Sequence, residues 1–198
     1  MSIDAKMVKK LRDATGAGIM DCKEALKKSD GDIEKAKEAL KKKGLAAAEK
    51  KRDRETKEGR VGSYIHGEGK IGVLIEVNCE TDFVAKNDEF KKVVKNLAMQ
   101  VAASKPKVVS REELPEEEIE KEKELYKEKM KDEGKPEHIL DQIVDGMMEK
   151  RYYQKVCLVD QPYIKDPDMS VKEYIKSNIA TIGENIQVER FQRFELGE

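Results

Sequence analysis

The chain has 198 residues, 38% hydrophobic and 41% charged, which limits it to a modest core under a densely ionic surface. Lys and Arg number 40 against 41 Asp and Glu, and the resulting net charge of -1 argues against a general polyanion binder. The 3 cysteines, Cys22, Cys79 and Cys157, stand apart with no C-x-x-C pair, so they read as reduced thiols rather than a disulfide framework or zinc site.

Met7, Val8, Leu11 and Ala14 follow helical spacing until Thr15-Gly16-Ala17-Gly18 stops the pattern. Ile19, Cys22 and Leu26 mark a second helix, ended by Ser29-Asp30-Gly31. Asp32 is the expected N-cap of a third helix carrying Ile33, Ala36 and Leu40, and Lys41-Lys42-Lys43 before Gly44 predicts its stop. Residues 1–45 therefore read as a three-helix domain, marginal by itself. Residues 46–58 read as a helical or flexible linker. Its basic cluster, Lys50, Lys51, Arg52 and Arg54, suits RNA contact or, with Glu49, Asp53 and Glu55 interleaved, a solvated surface.

From Gly59 the texture changes. Val61 to Ile65 reads as a strand, His66-Gly67-Glu68-Gly69-Lys70 as a turn, and Ile71, Val73, Ile75 and Val77 as a strictly alternating second strand, together a β-hairpin. A helix from about Asn87 carries Phe90, Val93, Val94, Leu97 and Val101, and Ser104-Lys105-Pro106 closes it. Ser110 to Glu113 has the form of a capping box ahead of a charged helix through Lys131, with thin apolar content at Ile119, Leu125, Tyr126 and Met130. Gly134-Lys135-Pro136 reverses the chain into a broader apolar stripe, Ile139, Leu140, Ile143, Val144, Met147 and Met148, which predicts a helical hairpin over 111–153. Val156-Cys157-Leu158-Val159 reads as a short strand. A helix with Val171, Tyr174, Ile175 and Ile179 follows, and Gly183-Glu184-Asn185 turns into the last strand. There Ile186 and Val188 are expected to share a face with Phe194 and Leu196, with a bend or bulge near Arg190. Strands and helices mix without a βαβ repeat, so residues 59–198 form an α+β core.

No apolar run approaches the ~20 residues of a membrane helix, and Met1-Ser2-Ile3-Asp4 lacks the order of a secretion signal. The expectation is a soluble, cytoplasmic protein without a membrane partner. Nor is there a P-loop, G-x-S-x-G, H-E-x-x-H or G-x-G-x-x-G segment. With only 2 histidines, His66 and His138, Cys79 with His66 is the best nucleophile-and-base pair on offer, yet the two stand at opposite ends of the hairpin with no third group to orient them. No catalytic residue, metal ligand or cofactor is expected.

One connection stands out. Cys79-Glu80-Thr81-Asp82-Phe83-Val84-Ala85-Lys86 joins a strand to a helix and holds one of only 4 phenylalanines, either folded back into the core or presented to a partner. Leu11-Arg12-Asp13-Ala14-Thr15-Gly16-Ala17-Gly18-Ile19-Met20-Asp21-Cys22-Lys23-Glu24-Ala25-Leu26 and Glu76-Val77-Asn78-Cys79-Glu80-Thr81-Asp82-Phe83-Val84-Ala85-Lys86 closely resemble the two signatures of the elongation factor Ts family. The similarity continues through Met99 to Pro106, Gln161-Pro162 and Arg193 to Glu198.

The resemblance implies a ubiquitin-associated-like N-terminal domain, a linker, and an α+β core with an antiparallel sheet and a helical hairpin. It implies a guanine nucleotide exchange factor of translation elongation, cytoplasmic and not an enzyme, whose partner is elongation factor Tu and which needs no direct nucleic acid contact. In the family a Thr-Asp-Phe-Val element displaces magnesium from Tu, and it maps onto Thr81, Asp82, Phe83 and Val84. The N-terminal contact with the GTPase domain of Tu maps onto Arg12, Ile19, Met20 and Lys23, and His66 resembles a Tu-contacting histidine of longer members. Those members hold two related core lobes, whereas here Gly62-Ser63-Tyr64-Ile65-His66-Gly67 opens one lobe and runs into the end of the other. Pairing would restore the missing surface, so a homodimer is expected. Three rivals stand beside this reading: an RNA-associated module using the basic linker, a thiol enzyme using Cys79, and a scaffold that binds Tu without exchanging nucleotide.

Overall fold

The computed structural model describes residues 4–198; Met1, Ser2 and Ile3, where the expected N-terminal domain and signal-free start begin, lie outside the described residues. In chain order the elements are α1 (Ala5–Thr15), α2 (Ile19–Lys28), α3 (Ile33–Glu49), β1 (Glu58–His66), β2 (Ile71–Cys79), α4 (Asp82–Ala85) and α5 (Asp88–Ser104). Then come α6 (Glu116–Asp132), α7 (Leu140–Met147), α8 (Gln154–Val156), β3 (Pro162–Tyr163), β4 (Asp166–Ser170), α9 (Val171–Ile182) and β5 (Ile186–Glu195). The fold is α+β, as expected. Strands β1-β2-β5 form one sheet in that order, and β3 and β4 pair antiparallel. The chain divides into two compact units. The first gathers the chain up to Arg60 with Asn78–Val93 and Glu173–Gln187; the second gathers Val61–Val77, Val94–Lys172 and Val188–Glu198.

In the first unit, α1, α2 and α3 bury Leu11, Cys22, Ala25, Leu26, Ala36 and Leu40 together. Asp32 caps α3 as its position predicts, its carboxylate accepting from the N–H groups of Glu34 at 3.0 Å and Lys35 at 3.1 Å. The helix does not stop at Gly44, however, and continues to Glu49. A Cβ at Gly44 would lie 3.1 Å from the Cβ of Ala180 on α9, so the missing side chain serves close packing of two helices rather than a C-cap. Lys41 pairs with Glu173 at 3.5 Å, and Lys176 pairs with Glu49, along the same seam. A mid-helix glycine costs ~1 kcal/mol against alanine, and here it permits the close approach of α3 to α9.

In the second unit, the hairpin of α6 and α7 reverses at Gly134, whose φ of 74° is the left-handed conformation glycine favours. Met130, Leu140 and Met147 form one buried cluster with Tyr126 and Ile143 against them. A second cluster buries Leu114, Val144, Met148, Tyr152, Val156 and Cys157, with Ile119 against them. Leu125 departs from this stripe and is exposed. The Ser110–Glu113 capping box forms, but it caps only the short 3-10 turn Arg111–Glu113, because Pro115 interrupts before α6 begins. Arg111 extends that anchor, donating to Glu149 at 2.6 Å and Asp160 at 2.8 Å and lying 4.2 Å over the Tyr153 ring.

Two strand expectations change. Val156 to Leu158 is buried, but Val156 to Val159 is not a strand: α8 ends at Val156, Leu158–Asp160 is a 3-10 turn, and a single bridge pairs Val108 with Cys157. A short apolar run marks burial without fixing backbone type. In β5, Glu189 and Arg190 are both exposed in succession, and this one-residue slip brings Phe191, Arg193 and Glu195 to the more protected side. Phe194 and Leu196 therefore do not share the face of Ile186 and Val188; both are exposed. Arg190 meets Glu76 at 2.8 Å and the Leu196 N–H donates to Lys70 O at 2.9 Å, so β5 runs antiparallel to β2.

The candidate partner-binding loop

The loop leaves β2 at Cys79, whose side chain is fully buried. Thr81 then caps the single turn α4, its hydroxyl oxygen accepting from the Val84 N–H at 3.3 Å. Val84 and Ala85 are buried, and a helical turn that turns those two inward must turn Phe83 outward. Phe83 is 81% exposed, whereas Phe90 on the next helix is fully buried. The core reading of Phe83 is thereby excluded. Beside it, Asp82 accepts from Lys86 Nζ at 2.7 Å, and this hydrogen bond, with the lysine charge, holds the Asp82 carboxyl below its ordinary pKa. Asp82 is therefore an anion at neutral pH.

What keeps this turn in place lies far along the chain. The Glu184 carboxylate accepts from the N–H groups of Glu80 at 3.1 Å and Thr81 at 3.0 Å, and from the Thr81 hydroxyl at 2.7 Å. Glu80 in turn accepts from the Asn185 N–H at 2.6 Å, and Arg54 approaches it at 3.4 Å. The buried Asn185 side chain donates to Arg52 O at 3.0 Å and Arg54 O at 2.8 Å. In the sequence Gly183-Glu184-Asn185 reads as a turn and no more. The only local signal was an acid beside a turn glycine, and its partners are about 100 positions away.

The other candidates fall as follows. Arg12, Ile19, Met20 and Lys23 are exposed residues of α1 and α2 in the same compact unit as Phe83, with Met20 75% exposed. His66 belongs to the second unit, exposed at the end of β1, with Nδ1 3.0 Å from the Tyr64 hydroxyl and the rings stacked. The structure thus brings the loop and the N-terminal candidates into one unit and leaves His66 in the other.

The rival chemistry loses its reagents here. The Cys79 thiol is buried and donates to Thr81 O at 3.3 Å; burial, then the negative charge of Glu184, pushes its pKa up to about 11, so it is no thiolate at neutral pH. Cys22 and Cys157 are buried too. In the basic linker, Lys51 donates to Gly183 O at 2.6 Å, Arg52 pairs with Glu49 at 3.6 Å and Arg54 approaches Glu80 at 3.4 Å. Among the described residues, no cluster of His, Cys, Asp and Glu is placed to hold a metal ion, and no helix is long and apolar enough to cross a membrane.

The family model for elongation factor TS matches residues 5–198. The chain is 57% identical over 196 residues to the elongation factor Ts of Heliobacterium modesticaldum, covering 99% of this chain and 91% of that one. It is 56% identical over 198 residues to the elongation factor Ts of Thermotoga neapolitana, covering 100% of this chain and 99% of that one. With the protein of the same name from Caldanaerobacter subterraneus the identity is 54% over 196 residues, 99% of this chain and 98% of the relative.

Proposed function

The chain belongs to the elongation factor Ts family, and on that premise we propose that it binds elongation factor Tu carrying GDP and drives GDP release by displacing magnesium. The observation that carries this is the exposed Phe83 on an anchored turn. Exchange needs no reactive group. A protein that binds nucleotide-free Tu better than GDP-bound Tu must weaken GDP binding by the same factor. Magnesium and a backbone cradle hold the diphosphate largely by electrostatics, so small displacements of the groups that position the ion cost affinity.

Phe83 enters between helices of Tu as an apolar wedge, and the ionised Asp82 brings negative charge toward the phosphates. Thr81 and Val84 hold the wedge at its base. Arg12, Ile19, Met20 and Lys23 dock the GTPase domain, with His66 as a further contact. In this reading the three helices α1 to α3 dock the partner and the segment after Glu49 leads from them to β1; the protein is cytoplasmic, performs no covalent chemistry and needs no nucleic acid. The test is release of a fluorescent GDP analogue from purified Tu. Release should accelerate with added protein and saturate; binding without acceleration would instead make the chain a passive scaffold.

The protein also acts as a homodimer in this proposal. In the second unit, Val61, Ile65, Leu74 and Phe194 are exposed apolar residues on the strands, and the neighbouring Arg190 is already neutralised by Glu76. Exposed apolar residues beside a balanced ion pair suit a two-fold interface. Light scattering behind size exclusion should give twice the chain mass for the parent and a monomer for Phe194→Glu. A monomeric parent at micromolar concentration contradicts this part.

A further inference from the structure

We infer that Glu184 is a positioning residue for exchange, because its carboxylate binds Glu80 N, Thr81 N and the Thr81 hydroxyl and so holds α4 in the conformation that presents Phe83. This rests on the reading of Phe83 as the wedge. A helical turn of four residues is not stable alone, since nucleation fixes several dihedrals before hydrogen bonds return the cost. This one must be anchored from outside.

The anchor has a direction. Thr81 gives its hydroxyl proton to Glu184 at 2.7 Å, which leaves a lone pair of the same oxygen for the Val84 N–H at 3.3 Å. The carboxylate therefore orients the cap, and the cap orients the turn. A neutral amide at position 184 retains one acceptor oxygen but replaces the other with a donor, so it cannot take all three bonds. Glu184 is itself fixed by its surroundings: Gly183 adopts a φ of 94°, Lys51 binds Gly183 O at 2.6 Å, and Asn185 is held by the carbonyls of Arg52 and Arg54. Every one of these residues belongs to the first compact unit. Glu184 acts only through Thr81 and Phe83.

The test compares four full-length proteins, the parent, Glu184→Gln, Phe83→Ala and the double variant, by stopped-flow release of a fluorescent GDP analogue from Tu. Glu184→Gln is nearly isosteric and its melting curve checks folding. At saturation its release rate should fall about tenfold, with the half-saturating concentration within about threefold of the parent, because the N-terminal docking residues are untouched. Amide exchange at Thr81 and Val84 should quicken at least about tenfold. The double variant should be no slower than Phe83→Ala alone, since a residue that only presents Phe83 has nothing left to present. Glu184→Asp, which keeps both oxygens, should recover part of the loss. If Glu184→Gln matches the parent while Phe83→Ala is slow, the positioning role is wrong and the wedge stands. If the two losses add in full, Glu184 acts elsewhere and the inference is equally overturned. If Phe83→Ala matches the parent, the wedge reading fails and the inference falls with it.

Discussion

Phe83→Ala should slow stimulated GDP release roughly ten- to hundredfold while leaving the melting curve of the protein unchanged. The asymmetry follows from exposure. Phe83 is 81% exposed in the free chain, so truncation removes no packing and opens no cavity. Its apolar surface becomes useful only when Tu covers it. Burying a phenylalanine side chain stabilises by ~1.5–3 kcal/mol, and if that gain appears only in the state with magnesium displaced, it converts to about that range of rates. Phe90→Ala is the internal contrast: that ring is fully buried, and its loss should unfold or strongly destabilise the chain by ~3–5 kcal/mol. Two phenylalanines seven positions apart thus separate function from stability, and a melt beside a stopped-flow trace reads the difference.

The largest stability effect from adding a single carbon is expected at Gly62. A Cβ there would lie 2.3 Å from Val94 Cγ1 and 3.8 Å from Ile75 Cγ2, and Val94 and Ile75 are themselves buried. Contact at 2.3 Å cannot be absorbed by small adjustments, so Gly62→Ala must push β1 and α5 apart locally or force Val94 off its rotamer. Overpacking of this kind costs about 1–3 kcal/mol, which lowers Tm by roughly 2–4 °C per kcal/mol in a chain of this size. Shortening the obstructing side chain in the same molecule, Gly62→Ala with Val94→Ala, should recover part of the loss because the new methyl fills the space vacated. A Gly62→Ala melt identical to the parent would contradict the close approach.

Much of this architecture is legible from local pattern. Asp32 caps its helix, the alternating Val73, Ile75 and Val77 are buried in β2, and Gly134 turns the hairpin, each because the determining physics acts within a few residues. The sequence reading departs from the structure where a distant contact decides. Gly44 looks like a helix stop until Ala180 is seen against it. Phe194 looks inward until the paired exposure of Glu189 and Arg190 shifts the alternation. At the loop the division is sharper still. The unusual Thr81-Asp82-Phe83-Val84 segment is visible in the chain, and the resemblance gives it a role. Which way its ring points depends on the burial of Val84 and Ala85, and what steadies it depends on Glu184, 103 positions away. Neither is a property of the segment itself.

The most direct test is an equilibrium one. The affinity of this protein for Tu should be measured with and without saturating GDP, and the affinity of Tu for GDP with and without saturating protein, using the parent and Phe83→Ala. The account predicts that each ligand weakens the other by one common factor, and that this factor shrinks about ten- to hundredfold when the Phe83 ring is removed. Equal affinity of the parent for empty and GDP-bound Tu, or a coupling indifferent to loss of the ring, would contradict it.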